Sequence, residues 1–328
     1  MEQSKKIKSN RVVLLFIKTT IAVAAVWFIY RRVFEKENVA GLFDDYRIIF
    51  SDHSKSILLS FIVLMMLINW SVEAFKWKMM IAKIEKITFL KSFIAVFSGL
   101  TISFFTPNRI GEYVGRVFHL KSADRIKATL ITVIENLSQL LITLVAGSVG
   151  LLFFLHYFLK INGFIFTGIV FLILLFIFSC FLIFLHVSLI EVFLRRFRFA
   201  KSWMKYVEVL GYYSRRELIA VILLALVRYV IFSSQFYLLL ILFDVPISYP
   251  TAMILISMIF YVMSLVPTIA LTEIGVRGAV ATFFLGKVTD QPAEILYVTL
   301  SLWLINLAIP ALIGTVFVFM FNLEKRKA

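Results

Sequence analysis

Long apolar stretches separated by short polar segments make up most of this chain. Six of them are near or above the roughly 20 residues that a helix needs to cross the hydrocarbon core of a bilayer. They are Val12–Tyr30, Ile57–Phe75, Ala128–Leu155, Phe164–Leu189, Leu218–Phe243 and Ile295–Phe321. The pattern therefore predicts six membrane-spanning helices.

Two further apolar stretches are too short or marginal to span a bilayer. Ser92–Phe105 ends just before Pro107, and Thr251–Val266 ends just before Pro267. A polar turn and a second short helical segment follow each of them. Non-helical backbone at membrane depth is tolerated only where it is buried in protein or lines a cavity. A re-entrant hairpin therefore fits each place better than two crossings.

The composition excludes a soluble domain of 328 residues, because 61% of the residues are hydrophobic and only 16% are charged. The formal net charge of +15 comes from basic residues that flank the apolar stretches, so we predict no nucleic-acid partner. Cys180 is the single cysteine, which excludes a disulfide framework and a cysteine metal site. The sequence contains no phosphate-binding loop or metal-ligand spacing, so we predict no cofactor.

Basic residues between the predicted spans indicate the orientation, because cytoplasmic loops carry an excess of lysine and arginine. With the N-terminus inside, the inner segments hold most of the 34 basic residues. The basic residues of the first outer segment, 31–56, are balanced by acidic ones. We therefore predict an integral protein of the cell (inner) membrane with both termini in the cytoplasm.

This layout repeats in opposite orientation in the two halves of the chain. Residues 1–155 would hold two spans, a hairpin at 92–118 and a span, and residues 156–328 would hold two spans, a hairpin at 251–286 and a span. Asn136 and Asn306, each followed by leucine, occupy corresponding places. Inverted repeats with broken helices are typical of alternating-access transporters. We predict a single all-α integral membrane domain with about six transmembrane helices and two hairpins.

Each predicted hairpin carries a glutamate and, four residues later, an arginine: Glu112 with Arg116, and Glu273 with Arg277. That spacing places both side chains on one helix face, where they can pair. Charged residues are costly inside a membrane, so two such pairs indicate a polar site. The arginines could bind a lipid phosphate, because guanidinium is a planar, permanently charged donor. Alternatively, each arginine only neutralises its own glutamate.

The turn of the first hairpin contains Asn108 and Arg109. The start of a helix there would offer free N–H groups to an anion, so both residues belong to the predicted substrate site. The alternative for Arg109 is that its side chain reaches the cytoplasmic lipid headgroups.

Glu135, Asn136 and Gln139 form a polar stripe in the middle of an otherwise apolar span. Glu135 and Gln139 are four residues apart and share a helix face. Carboxylates inside a membrane commonly mark routes for ions or protons. The alternative is that Glu135 is the partner of a buried arginine, namely Arg109, Arg116 or Arg228.

Arg228 lies well inside its predicted span and needs a counter-charge at that depth. We predict Glu135 or Glu273 as this partner. Asn69 and Glu73 lie near the inner end of the second span, beside basic residues. For these two residues we expect anchoring at the membrane interface.

Two short motifs carry a family resemblance. Thr-Pro-Asn-Arg-Ile-Gly-Glu at 106–112, with Arg116 after it, and Glu-Ile-Gly-Val-Arg at 273–277 resemble the membrane domain of the lysylphosphatidylglycerol synthase/flippase family, also called the flippase-like domain family. Many members carry an acidic residue shortly after the Gly-Val pair, where this chain has Gly278. The resemblance covers nearly the whole chain, and it implies movement or handling of a polar lipid. It does not identify the lipid.

Bifunctional members of that family also carry a soluble aminoacyltransferase domain. The sequence ends at Ala328, shortly after its last apolar stretch, so we expect no synthesis of an aminoacyl lipid by this chain. We expect that a separate enzyme makes any lipid that it moves.

The predicted function is that of a lipid flippase or transporter, which moves a phospholipid or a lipid-linked headgroup through a polar cavity between the hairpins. Its driving force would be an ion gradient acting on Glu112, Glu135 or Glu273, or the lipid gradient itself. One alternative is an intramembrane enzyme that uses a hairpin carboxylate as general base on a lipid-linked substrate. Another is a membrane partner of a glycosyltransferase or lipid synthase.

Overall fold

The computed structural model describes residues 39–106, 109–194, 196–197, 203–266 and 270–320. Within these ranges the chain is helical and forms no β-strand. Its α-helices are α1 (Val39–Ser51), α2 (His53–Ile81), α3 (Phe89–Ser103), α4 (Gly111–Val117), α5 (Arg125–Phe154), α6 (Gly163–Leu185), α7 (Ser188–Leu194), α8 (Met204–Val207), α9 (Arg215–Leu242), α10 (Tyr249–Leu265), α11 (Ala270–Leu285), α12 (Pro292–Trp303) and α13 (Ile309–Met320). A π-helical turn, Leu155–Leu159, extends α5, and another, Leu304–Ala308, joins α12 to α13.

Five helical segments of the described ranges are long and apolar enough to cross a membrane. They are His53–Ile81, Arg125–Leu159, Gly163–Leu185, Arg215–Leu242 and Pro292–Val318. These segments confirm five of the six predicted spans and make the chain an integral membrane protein. The first predicted span, Val12–Tyr30, lies outside the described residues.

The two short apolar helices form where the sequence predicted them. Helix α3 has 15 residues and begins after Thr88, whose hydroxyl accepts a hydrogen bond from the backbone N–H of Lys91. Helix α10 has 17 residues and has Pro250 in its first turn, where a missing N–H does no harm. Helix α3 packs against α4, and α10 packs against α11. Each short apolar helix therefore has a second helix beside it.

Helix α1 was not predicted, since its residues lie in the segment interpreted as an outer loop. It ends at Ser51, and the side chain of Asp52 then caps α2 by accepting hydrogen bonds from the backbone N–H groups of Ser54 and Lys55. The hydroxyl of Tyr46 donates a 2.9 Å hydrogen bond to Ser301 of α12. This helix was missed because it is short and carries acidic residues next to its apolar ones.

Helices from opposite halves of the chain pack closely against each other. Helix α3 contacts α13, and Thr101 donates a 2.7 Å hydrogen bond to the carbonyl oxygen of Ala311. Helix α10 contacts α5 where Gly150 leaves room for Ser257. Small residues permit such close approach of membrane helices. Each short apolar helix is thereby held by the last long helix of the other half.

The glycine at position 314 offers a test of this packing. A Cβ atom added to Gly314 would overlap the backbone carbonyl oxygen of Phe97, which cannot rotate away. We expect Gly314→Ala to push α13 away from α3 and to lower the free energy of unfolding by about 1–3 kcal/mol. Thermal unfolding in detergent measures this loss.

Gly168→Ala is the matched control, because Gly168 is also helical and a Cβ there meets nothing within 4 Å. Both changes gain the same helix propensity of about 1 kcal/mol, so their difference isolates the packing effect. Equal midpoints for the two variants would contradict the close contact between α3 and α13.

Glu85 joins two turns at one end of the helices. Its carboxylate accepts hydrogen bonds from the backbone N–H groups of Lys121, Ser122 and Ala123, at 2.9–3.1 Å, and a 3.0 Å contact from the ammonium of Lys91. Burial raises the pKa of Glu85, but these hydrogen bonds outweigh burial and lower it to about 2. Glu85 is therefore ionised at neutral pH and fixes the turn before α3 to the turn before α5.

Candidate functional site

A cavity of about 450 Å³ lies between the long helices and the ends of the short ones. Apolar side chains such as Phe232, Phe260 and Met263 line part of it. The charged and amide side chains that line it are Asn69, Glu73, Arg109, Glu112, Asn136, Gln139, Arg228, Glu273, Arg277 and Asn306. A cavity that combines apolar walls with convergent polar groups is the usual form of a ligand site.

Most of the predicted site residues meet at this cavity. Glu112, Arg116, Glu273 and Arg277 form the two predicted pairs, with Arg277 Nη2 lying 2.5 Å from Glu273 Oε1. Arg116 and Glu135 lie behind the cavity wall and do not line it. Asn108 lies outside the described residues.

An ion pair links the segment before α4 to helix α11. Arg109 precedes α4 with a left-handed backbone, φ 57°, and its Nη2 lies 3.0 Å from both carboxylate oxygens of Glu273 in α11. Neither predicted role for Arg109 included this partner. Glu273 thus binds two arginines, Arg109 before α4 and Arg277 in α11. We call Arg109, Glu273 and Arg277 the tip cluster.

A second group of charges surrounds Arg116, which is completely buried. Its Nη1 lies 3.0 Å from Glu135 Oε2, its Nη2 lies 2.5 Å from Glu73 Oε1, and it also contacts Glu112. Lys76 Nζ lies 3.0 Å from Glu73 and 2.9 Å from Glu135. Glu135 is therefore the partner of a buried arginine, Arg116, as the alternative prediction for Glu135 stated.

Arg228 extends this group from α9. Its Nη1 lies 2.5 Å from Glu73 Oε2, and its guanidinium also donates to Asn69 Oδ1 at 3.2 Å and to Gln139 Oε1 at 3.3 Å. The guanidinium lies 5.5 Å from the ring centre of Trp70, within cation–π range. We call Glu73, Lys76, Glu112, Arg116, Glu135 and Arg228 the core network. It contains three carboxylates and three cations.

Two predictions about these charges are wrong. The counter-charge of Arg228 is Glu73, and neither Glu135 nor Glu273 contacts it. Glu73 and Asn69 are also not interfacial anchors, because their exposed fractions are only 1% and 4%. The error came from ending the second span at Phe75. Helix α2 continues to Ile81, which places Glu73 more than two turns from its end.

Sequence reasoning missed Lys76, although a signal was present. Asn69, Glu73 and Lys76 recur at intervals of four and three residues, so they lie on one face of α2. A polar face on an otherwise apolar helix indicates contact with other polar helices rather than with lipid. Glu135 and Gln139 form the same kind of polar face on α5.

Comparison with known families gives one match. The family described as the lysylphosphatidylglycerol synthase TM region matches residues 15–314, which is nearly the whole chain. No curated protein and no solved structure gives a significant match. The matched range includes the short helices α3, α4, α10 and α11, the tip cluster and the core network.

Proposed function

The chain belongs to the lysylphosphatidylglycerol synthase TM region family, and from this membership we propose that it moves a phospholipid or lipid-linked headgroup between the two leaflets. The headgroup enters the cavity while the acyl chains stay in the bilayer. The family supports a lipid-related membrane function of the synthase or flippase kind. The charges that line the cavity support a transport role.

The tip cluster carries this proposal. Two guanidinium groups, those of Arg109 and Arg277, share the single carboxylate of Glu273. The core network is balanced, so the excess positive charge lies at the tip cluster, on residues that line the cavity. Arg277 is buried, and a buried charge needs a partner, whereas the Arg109 side chain is 41% exposed. A phosphodiester supplies one negative charge and suits the hydrogen-bond geometry of guanidinium.

We further propose that α3–α4 and α10–α11 are the two re-entrant hairpins of an inverted repeat. The packing supports this arrangement: α3 contacts α13 of the other half, α10 contacts α5 of the other half, and α2 contacts α9. In an inverted repeat these contacts are related by one two-fold axis. Separation of Arg109 from Glu273 would then accompany exposure of the cavity to the opposite leaflet.

We also propose that both termini lie in the cytoplasm and that the protein lies in the inner membrane. The distribution of basic residues supports this orientation. A separate lipid-modifying enzyme would supply the transported lipid.

The arrangement favours transport over intramembrane catalysis. A general base needs a carboxylate that can accept a proton from substrate. Each of the three glutamates that line the cavity, Glu73, Glu112 and Glu273, already contacts at least one arginine. No observation favours a role as a mere partner of a glycosyltransferase or lipid synthase.

Leaflet exchange in proteoliposomes tests the proposal. Vesicles carry a trace of phosphatidylglycerol with a fluorescent acyl chain, and a membrane-impermeant reductant destroys the dye in the outer leaflet. We expect the protein to expose the inner-leaflet pool much faster than in protein-free vesicles, with the extracted lipid chemically unchanged. Folded protein without such exchange would overturn the proposal, and a chemically altered lipid would favour the enzyme.

A further inference from the structure

A basic segment lies away from the cavity, at the end of the helices that holds the turn with Glu85. This segment, 188–217, connects α6 to α9 and holds seven basic and three acidic residues. Its described elements are α7, α8 and a 3₁₀ turn, Glu208–Tyr212, that follows α8 directly. None of its described residues lines the cavity. The proposed transport therefore gives this segment no role.

Contacts with two long helices hold the segment at that end of the molecule. Lys127 Nζ, in the first turn of α5, lies 2.5 Å from Glu208 Oε1. The hydroxyl of Tyr213 donates a 2.9 Å hydrogen bond to the carbonyl oxygen of Met80, near the end of α2. Helix α7 packs against the 3₁₀ turn, and so does α8. The described parts of the segment therefore lie side by side at the ends of α2 and α5.

Several basic side chains of this segment have no carboxylate partner. The exposed ones among the described residues are Arg196, Lys205, Arg215 and Arg216. We call these four residues the basic surface. None of them forms an ion pair with a described residue. Two acidic residues of the segment, Glu208 and Glu217, are paired instead with lysines from outside it, Lys127 and Lys83. The basic surface thus keeps its positive charge.

Helix stability does not account for the position of Arg215 and Arg216. They are the first two residues of α9, where the helix dipole is positive and disfavours cations. The polar partner of Arg215 is a ring nitrogen of His186, at 2.9 Å, which carries no negative charge. These two arginines therefore gain no compensating negative charge from each other, from His186 or from the helix end.

Apolar side chains are exposed on the same segment. Val192 and Phe193 in α7 are 57% and 60% exposed, and Trp203, which precedes α8, is 56% exposed. Helix α7 begins shortly after the membrane-spanning helix α6 ends. Contact with water alone would suit the charges but not these apolar side chains. Segments that combine exposed aromatic and aliphatic residues with basic ones bind the headgroup region of a membrane and favour anionic lipid.

We propose that α7, α8 and the start of α9 form a docking surface for anionic phospholipids of the adjoining leaflet, separate from the cavity. The basic surface attracts the lipid phosphates, and Phe193 and Trp203 enter the region between headgroups and acyl chains. Net charge selects the occupant, because a zwitterionic lipid offers no excess negative charge to the uncompensated cations. Docking to a leaflet requires these groups at one end of the molecule, and it does not require lipid transport.

Quenching of Trp203 fluorescence by brominated lipids tests this surface. The full chain is reconstituted at low salt in phosphatidylcholine bilayers with increasing mole fractions of brominated phosphatidylglycerol or brominated phosphatidylcholine. The emission of Trp203 is the difference between wild type and Trp203→Phe. Each basic residue near an anionic surface contributes about a fivefold preference. We therefore expect half-maximal quenching at a mole fraction at least about fivefold lower for phosphatidylglycerol.

Two double variants remove charge from different elements of the basic surface. They are Arg196→Gln/Lys205→Gln and Arg215→Gln/Arg216→Gln, and either one serves if the other does not fold. We expect each of them to bring the half-maximal mole fractions of the two lipids closer together by about fivefold or more. Salt at about 1 M should have the same effect on wild type, because it screens exposed charges.

Arg47→Gln/Lys287→Gln is the matched control. It also removes two positive charges, from exposed residues at the opposite ends of the long helices. This variant should keep the wild-type preference. Equal half-maximal mole fractions for the two lipids in wild type, or a preference that survives in both double variants, would overturn the proposal. Binding of soluble polyglutamate without any lipid preference would overturn it in favour of an acidic protein partner.

The Arg277→Gln variant separates this surface from the cavity. Arg277 lines the cavity and lies outside the basic segment, so its loss should leave the quenching of Trp203 unchanged. Intact lipid preference without leaflet exchange would retain the docking surface and reject transport. Leaflet exchange without lipid preference at Trp203 would reject the docking surface and retain transport.

Discussion

Arg116→Ala is expected to lower the free energy of unfolding by about 3–5 kcal/mol, the range found when one partner of a buried ion pair is removed. Arg116 is completely buried and contacts three carboxylates, those of Glu73, Glu112 and Glu135. Its removal leaves the core network with three negative charges and only two positive ones. Thermal unfolding in detergent, together with the yield of folded protein, measures the effect.

Arg47→Ala is the control for this change, because the Arg47 side chain is 87% exposed and pairs only loosely with Asp44 at 3.8 Å. The double variant Arg116→Ala/Glu135→Gln restores the charge balance and should recover part of the lost stability. A wild-type midpoint for Arg116→Ala, or a double variant less stable than the single one, would contradict a charge-balanced core network.

Arg277→Gln is expected to slow leaflet exchange of an anionic lipid by about ten- to 150-fold. A hydrogen bond between charged groups contributes about 1.5–3 kcal/mol, and each 1.4 kcal/mol corresponds to a factor of ten. Glutamine keeps a polar side chain at this position, and Glu273 retains Arg109 as its partner. The stability loss should therefore be smaller than that of Arg116→Ala, because no carboxylate is left alone.

Arg116→Ala is the control for the exchange rate predicted for Arg277→Gln. Both arginines are four residues after a glutamate, yet Arg277 lines the cavity and Arg116 does not. Exchange by Arg277→Gln should be slow in protein that unfolds near the wild-type temperature. Slow exchange accompanied by a stability loss as large as that of Arg116→Ala would indicate a purely structural arginine.

Much of the helical layout follows from the sequence because membrane thickness fixes the length of an apolar helix. Hydrophobic length located Arg125–Leu159 and Arg215–Leu242 within a few residues. The second predicted span ended too early, at Phe75, because Lys76 and Lys78 indicated a boundary with water. Helix α2 continues to Ile81. Lys76 is in fact completely buried, because Glu73 and Glu135 neutralise it.

Pairs within one helix were predictable, whereas pairs between helices were not. The spacing of four residues gave Glu112 with Arg116, because helix geometry fixes their separation. Arg109 and Glu273 are 164 residues apart in sequence, and Arg228 and Glu73 are 155 apart. A buried arginine needs a counter-charge, so the sequence predicts a partner for Arg228. It does not identify which of several carboxylates is that partner. That choice depends on which helices pack together.

One leaflet-exchange experiment with fluorescent phosphatidylglycerol, on wild type, Arg277→Gln and Arg47→Gln, tests directly whether the tip cluster binds the transported headgroup. Equal amounts of folded protein per vesicle are confirmed by size-exclusion chromatography and unfolding temperature before reconstitution. We expect rapid exchange by wild type and Arg47→Gln and exchange at least tenfold slower by Arg277→Gln. Equal rates for all three proteins, or a wild-type rate no higher than that of protein-free vesicles, would contradict headgroup binding at the tip cluster.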